Sequence, residues 1–281
     1  MADYVIDETF QHLSNQEDRY TLLFNDVVVF TARLMAQWMS VGFIHGVMNT
    51  DNMSIAGLTI DYGPYAFLDD FKHDNVCNHT DVNGRYSFTN QPEIAKWNLE
   101  ALMVALSPLT TIKKMNKSLS MFDKVYNRYY HYYMCKKLGL DIVKEGDPEL
   151  IDDLLDMLES LQVDYTLFFR TLSHYEGERE ALLRTGLYHE SMHAWLDRYD
   201  ERIKDLDVEE RKGQMLSANP KYVLKNYMLQ EAIDAAEKGD FKVVDDLFKI
   251  AQNPFDEYPE FERWAGATPD EFKNKKLSCS S

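Results

Sequence analysis

Gly42-Phe43-Ile44-His45-Gly46-Val47-Met48-Asn49-Thr50-Asp51-Asn52, followed nine residues after Asn52 by Asp61-Tyr62-Gly63, is the stretch whose reading decides the fold. It has the form His-x6-Asn, then Asp-x-Gly. An amide and a carboxylate on either side of a short excursion supply hard oxygen atoms, the donors that Mg²⁺ and Mn²⁺ prefer. Such a cation neutralises phosphate charge, so the pattern points to a nucleotide's metal. Upstream, apolar residues recur at Val27, Phe30, Leu34, Trp38 and Val41 between Asn25 and Val41, a helical stripe that Gly42 can end in a left-handed conformation. That helix delivers the chain to His45. Downstream, Met53 to Ile60 is short and apolar around Gly57, which reads as two small strands joined by a turn, with Asp61 at the end of the second.

The same spacing occurs in the protein-kinase catalytic loop, H-R-D-L-x-x-x-N, whose Asn works with the Asp of a following D-F-G to hold Mg²⁺. Asn52 and Asp61 are therefore the candidate metal ligands, and Asp61 also the candidate nucleotide-binding residue. One departure is informative. Two positions after the histidine, where a kinase carries its catalytic aspartate, stands Val47, which cannot accept a proton. The nearest carboxylate is Asp51, and it becomes the candidate base for an incoming hydroxyl. His45 reads as a structural histidine that hydrogen-bonds backbone near the loop.

The rest of the chain sets the frame. With 281 residues, 45 % hydrophobic and 13 % aromatic, a packed interior is expected. No apolar run approaches the roughly 20 residues that span a bilayer, and the acidic start Met1-Ala2-Asp3-Tyr4 does not read as a signal or transit peptide. A cytoplasmic protein without a membrane partner is the expectation. A formal charge of −17, relieved only by short basic clusters such as Lys113-Lys114 and Lys136-Lys137, argues against nucleic acid.

Pro64 to Gln91 loses periodicity and should be a long ordered loop. Pro92 suits the first turn of a helix that buries Ile94, Trp97, Ala101, Leu102 and Ala105 and ends before Pro108. Further helices are expected over Met121 to Leu138, ending at Gly139; through Leu150, Leu154, Met157, Leu158 and Leu161; from Tyr222 to Lys238; and from Phe241 to Ala251. The tyrosines from Tyr126 to Tyr133 read as core and surface filling. The fold class is mainly α, a kinase-like C-lobe with a small β-hairpin at the metal site. Two regions are expected: a catalytic core over 1–110, and a helical region over 111–281 ending in a Ser-Cys-Ser-Ser tail.

Beyond the spacing, Gly42 to Ser54, Thr59-Ile60-Asp61-Tyr62-Gly63-Pro64, Cys77-Asn78-His79, Gly84-Arg85-Tyr86, Asn90-Gln91-Pro92 and Trp97-Asn98-Leu99 together resemble the selenoprotein O (SelO, also YdiU) family. Later segments agree, among them Asp164-Tyr165-Thr166, Asn219-Pro220-Lys221-Tyr222, Gln230-Glu231-Ala232, Asn253-Pro254-Phe255 and the terminal Ser278-Cys279-Ser280-Ser281. The resemblance covers nearly the whole chain.

It implies a protein-kinase-like fold that acts as a protein adenylyltransferase, carrying AMP from ATP to hydroxyl side chains of proteins with Mg²⁺ or Mn²⁺. Asp51 matches the family's proton acceptor, and Asn52 and Asp61 its metal ligands. It also implies what this chain lacks: an N-terminal lobe with a glycine-rich loop and phosphate-gripping lysine and arginines. The expectation is a split or truncated form, inactive alone, with an exposed apolar surface that calls for a separate N-lobe or self-association. A non-catalytic pseudoenzyme lobe and a kinase-like phosphotransferase are the alternatives. Reduced thiols are the default for Cys77, Cys135 and Cys279. In SelO proteins the position of Cys279 carries cysteine or selenocysteine, so a redox link to Cys77 is the exception to test, one that needs Cα atoms within about 7 Å. Cys135 reads as a buried apolar residue.

Overall fold

The longest helix, α2 (Arg19–Val41), follows α1 (Ala2–Thr9) and buries Phe24, Val28, Met35 and Trp38 along one stripe. It begins six residues before the expected Asn25, and Gly42 closes it at φ 71°. Only a residue without Cβ is comfortable there, because an added Cβ would sit 3.0 Å from the Tyr165 ring. The turn aims the chain directly into β1 (Phe43–Ile44).

The small sheet is not where the sequence pattern puts it. In the computed structural model, which describes residues 1–187 and 190–273, Met53 to Ile60 forms no strand. Strand β1 pairs antiparallel with β2 (Ala66–Phe67), Phe43 opposite Phe67 and Ile44 opposite Ala66. The reason lies in hydrogen bonding. Ser54 to Gly57 is a turn, with the Gly57 amide on the Ser54 carbonyl at 3.3 Å, and the residues after it bond to side chains rather than to a strand. Trp38 Nε1 donates to Thr59 Oγ1 at 2.8 Å, and the Ile60 carbonyl accepts from His45. The sheet therefore lies at the base of the whole 45–65 excursion, pinning both of its ends.

The other helices are α3 (Gln91–Leu106), α4 (Ile112–Leu119), α5 (Phe122–Lys137), α6 (Asp147–Ser160), α7 (Tyr165–Leu172), α8 (Glu180–Leu183), α9 (Glu190–Ile203), α10 (Val208–Ala218), α11 (Asn226–Ala236) and α12 (Lys242–Gln252). Helix α2 packs most extensively on α5 and also meets α3 and α4. One core surrounds α2 and reaches Leu99, Met115 and Phe122; a second joins Leu150, Leu154 and Leu158 of α6 to Phe168, Phe169, Trp195 and Tyr199. A third holds α11 and α12 together through Tyr222, Met228, Leu247, Ile250 and Trp264. Cys135 is buried in the second core, and burial pushes its thiol up to about 12. Tyr126 and Tyr130 stack at 5.7 Å and pack on that core, as filling should.

Two further expectations need correction. Helix α3 buries Gln91, Ala95, Asn98, Leu99 and Met103, a face rotated from the expected one. Trp97 is half exposed under the Arg85 guanidinium at 4.9 Å, and Ala105 is exposed. The cause is that two amides, Gln91 and Asn98, occupy the inner face for hydrogen bonding. Helix α11 starts at Asn226 rather than Tyr222 because the Lys221 and Tyr222 amides both donate to the Pro254 carbonyl, at 2.8 and 3.1 Å, holding that segment extended.

The α11–α12 unit is attached through buried charge. Arg170 donates to the Asn219 carbonyl at 3.0 Å, the Phe255 carbonyl at 3.2 Å and Glu257 at 2.5 Å. Lys225, buried, is paired with the buried carboxylate of Asp164, which also caps α7 by accepting from the Leu167 amide at 3.0 Å. Among the described residues no helix is long and apolar enough to cross a membrane. Cys279 and its Ser-Cys-Ser-Ser tail lie outside the described residues.

Candidate metal and nucleotide site

Between β1 and Asn52 the chain has almost no regular structure, so its backbone polar groups need partners from elsewhere. Carboxamide side chains supply them. Gln91 accepts from the His45 amide at 2.9 Å and donates to the Phe43 carbonyl at 2.9 Å. Asn78 donates to the Gly46 carbonyl at 3.1 Å, Asn52 to the Val47 carbonyl at 3.0 Å, and Asn98 to the Met48 carbonyl at 3.0 Å. Tyr86 adds a bond to Asn49 Oδ1 at 2.8 Å. Four amides thus hold the carbonyls of Phe43 in β1 and of Gly46, Val47 and Met48 in the loop, an arrangement that fixes its path as firmly as a ladder would.

Within this frame the expected residues are placed as follows. His45 is buried against Trp38, ring centroids 5.3 Å apart, and Nε2 donates to the Ile60 carbonyl at 2.9 Å. Burial lowers its pKa, the Ile60 bond and the nearby Asp61 charge opposing that shift. A neutral ring with Nε2 committed to backbone is a structural histidine, and it ties the His45 side of the loop to the residue preceding Asp61. Asp61 adopts φ 55°, one of two non-glycine residues with positive φ among those described. Aspartate tolerates this conformation better than most residues, and such outliers concentrate at functional sites. Asp51 and Asn52 sit on the 3₁₀ turn Thr50–Asn52. Asp51 and Asp61 are both exposed, and neither carboxylate has a hydrogen-bond or ion-pair partner among the described residues.

The fit to a divalent cation can be read from Asn52. Its Nδ2 is committed to the Val47 carbonyl, which leaves Oδ1, the hard donor, free. The Asp61 carboxylate is likewise unpaired among the described residues, so neither oxygen donor is engaged by a protein cation. Among the described residues no three His, Cys, Asp or Glu side chains gather into a metal cluster. A site with one carboxylate and one amide oxygen suits Mg²⁺ arriving with phosphate oxygens and water better than a closed all-protein cage.

Gln91, Asn78 and Asn98 are the residues that hydrophobic periodicity missed as site builders. Their signal was present as polar residues at buried helical phase and in a loop, recognisable only once the loop's unmet carbonyls are counted. Replacing Gln91 by Leu, a good helix former, leaves the His45 N–H and Phe43 C=O buried without partners. A loss of about 2–4 kcal/mol is expected in urea unfolding; a loss below about 0.5 kcal/mol would show that the amide clamp contributes nothing.

A mainly helical fold whose two-stranded sheet brackets a His-x6-Asn loop and an Asp-x-Gly turn defines the class as a kinase-like C-lobe. Residues 1–252 match the family model described as protein adenylyltransferase SelO. The chain belongs to that family. It is 44 % identical over 285 residues to a protein nucleotidyltransferase YdiU of Pseudomonas aeruginosa (strain LESB58), 45 % over 288 to one of Myxococcus xanthus (strain DK1622) and 42 % over 290 to one of Vibrio vulnificus (strain CMCP6). In each case all of this chain is covered, against 59 % of the relative, so the chain spans well under two thirds of the proteins it resembles.

Proposed function

We propose that this chain carries the metal- and acceptor-side half of a protein adenylyltransferase, with ATP as donor and a protein Ser, Thr or Tyr hydroxyl as acceptor. The observation that carries the reading is the free Oδ1 of Asn52 and the unpaired carboxylate of Asp61, presented by a loop clamped through its backbone. Asn52 and Asp61 would hold a Mg²⁺ or Mn²⁺ ion, which supplies charge neutralisation at the triphosphate when bound. Asp51, exposed and unpaired on the same turn, accepts the acceptor's proton as its oxygen attacks the α-phosphorus. The bond from that phosphorus to the bridging oxygen breaks, and pyrophosphate leaves.

Val47 favours this over a kinase reaction, because the position that deprotonates a kinase acceptor holds a hydrocarbon. Leu58, Ile60 and Tyr62 are exposed beside Asp61, Leu58 and Tyr62 by 63 % and 61 %. In this reading that apolar edge meets further protein, either the portion of the longer relatives outside the matched region or a second copy.

The test supplies Mn²⁺ and ATP labelled on the α- or the γ-phosphate, with the chain alone and with the unmatched portion of a relative added. Protein-bound label from the α-position only is the expected result, lost at least 100-fold in Asp61→Ala. Label from the γ-position would establish a kinase, and no label in either arrangement would establish a binding lobe without catalysis.

A further inference from the structure

Outside the loop, the side chain left without a role is Lys137, the last residue of α5. It is 3 % exposed, and its Nζ has neither a hydrogen bond nor an ion pair among the described residues. Two lysines are buried among those residues, and the comparison is instructive: Lys225 has the Asp164 carboxylate, whereas Lys137 has no anion. The amine meets aromatic rings, 4.1 Å from the Phe169 centroid and 5.2 Å from that of Tyr165. Lys137 is also one of the residues lining a cavity of about 370 Å³, together with Trp38, Phe43, Tyr62, Phe67 and Lys136. Neighbouring Lys136 is occupied, its Nζ donating to Gln214 Oε1 at 3.1 Å.

We propose that this cavity binds a small aromatic monocarboxylate, its ring against the aromatic wall and its carboxylate paired with Lys137 Nζ. The volume is in the range of small-ligand pockets, whose usual wall is mostly apolar with a few polar groups; here those include Gln37, Ser40, Thr59 and the two lysines, with no carboxylate among the lining residues. A lone ammonium in such surroundings is costly, and ring quadrupoles repay only part of its lost hydration. Burial accordingly lowers the Lys137 pKa to about 7. A carboxylate restores the missing counter-charge without water, while a cationic ligand of the same shape would meet repulsion. The backbone of Lys137 is fixed, since its carbonyl accepts from the buried Asn219 Nδ2 at 2.8 Å. The cavity also borders Thr59 and Tyr62, so its occupant touches the segment that carries Asp61.

The experiment is calorimetric titration of the full chain with indole-3-acetate and with tryptamine, which share a ring and differ in the sign of their charge. Indole-3-acetate is expected to bind saturably with a dissociation constant on the order of 1 mM or tighter. Tryptamine should bind at least tenfold more weakly. Lys137→Met should remain folded, because it replaces an unpaired buried amine by an apolar chain of similar length, and should weaken indole-3-acetate at least tenfold. Lys96→Met makes the same charge change at a surface lysine paired with Asp123 and should leave binding unaltered. No saturable heat from indole-3-acetate, equal binding of the two probes, or undiminished binding by Lys137→Met would each overturn the proposal.

Discussion

Gly46→Ala is expected to lose more than about 3 kcal/mol of stability and to abolish cation binding at the Asn52–Asp61 pair. Gly46 has φ 79°, and an added Cβ would lie 2.7 Å from the Pro64 carbonyl oxygen and 2.8 Å from Cys77 Sγ. The left-handed conformation alone costs an alanine roughly 1–2 kcal/mol. The contact is worse, because its nearest atom is backbone and backbone on the far side of the loop cannot swing away. Relieving it requires the 45–52 and 61–64 segments to separate, which breaks the His45–Ile60 bond that ties them. Urea unfolding measures the loss. Gly213→Ala is the control, since that glycine lies inside helix α10 with nothing within 4 Å of an added Cβ, and a gain of about 0.5–1 kcal/mol is expected. Equal midpoints for Gly46→Ala and the unaltered protein would mean that the loop has slack the structure does not show.

Lys225→Met is expected to cost about 3–5 kcal/mol, the usual penalty for removing one member of a buried ion pair. Asp164 would keep only the Leu167 amide as a partner for a carboxylate that is 2 % exposed. The damage should be directional. Lys225 belongs to the segment leading into α11, and Asp164 caps α7, so the unit built on Tyr222, Leu247 and Trp264 should loosen first. Hydrogen exchange would show protection lost in α11 and α12 before α2. Adding Asp164→Asn, which preserves a capping side chain while removing the orphaned charge, should recover more than half of the loss. A double variant as unstable as Lys225→Met would rule out uncompensated charge as the cause.

The sequence was legible where one physical signal dominated. The stripe from Val27 to Val41 gave α2 and its Gly42 stop, and the Leu150 to Leu161 face gave α6, because apolar side chains at helical spacing specify both the helix and the face it buries. The His-x6-Asn and Asp-x-Gly pattern fell on two segments that the bond from His45 to the Ile60 carbonyl ties together. Periodicity failed where polar groups take the inner positions. Gln91 and Asn98 turned α3 by about a residue because the backbone of 43–48 needed their amides more than the core needed Trp97. It failed again at Met53 to Ile60, whose apolar run suggested strands although its hydrogen-bonding partners are the side chains of Trp38 and His45. Pairing of Phe43 with Phe67 spans a long excursion, and two-residue strands carry no period to detect. Lys137 could not be distinguished from Lys136 by sequence, since only the packing of α5 decides which one loses water.

The most direct measurement is a Mn²⁺ titration in the presence of ATP, followed by electron paramagnetic resonance, on the unaltered chain and on Asn52→Ala and Asp61→Ala. Loss of the free-ion signal on adding the unaltered chain, beyond that due to ATP alone, with at least tenfold weaker binding in each variant, is the expected result. Binding of Mn²⁺ that is identical in all three proteins would contradict the assignment of Asn52 and Asp61 as its ligands.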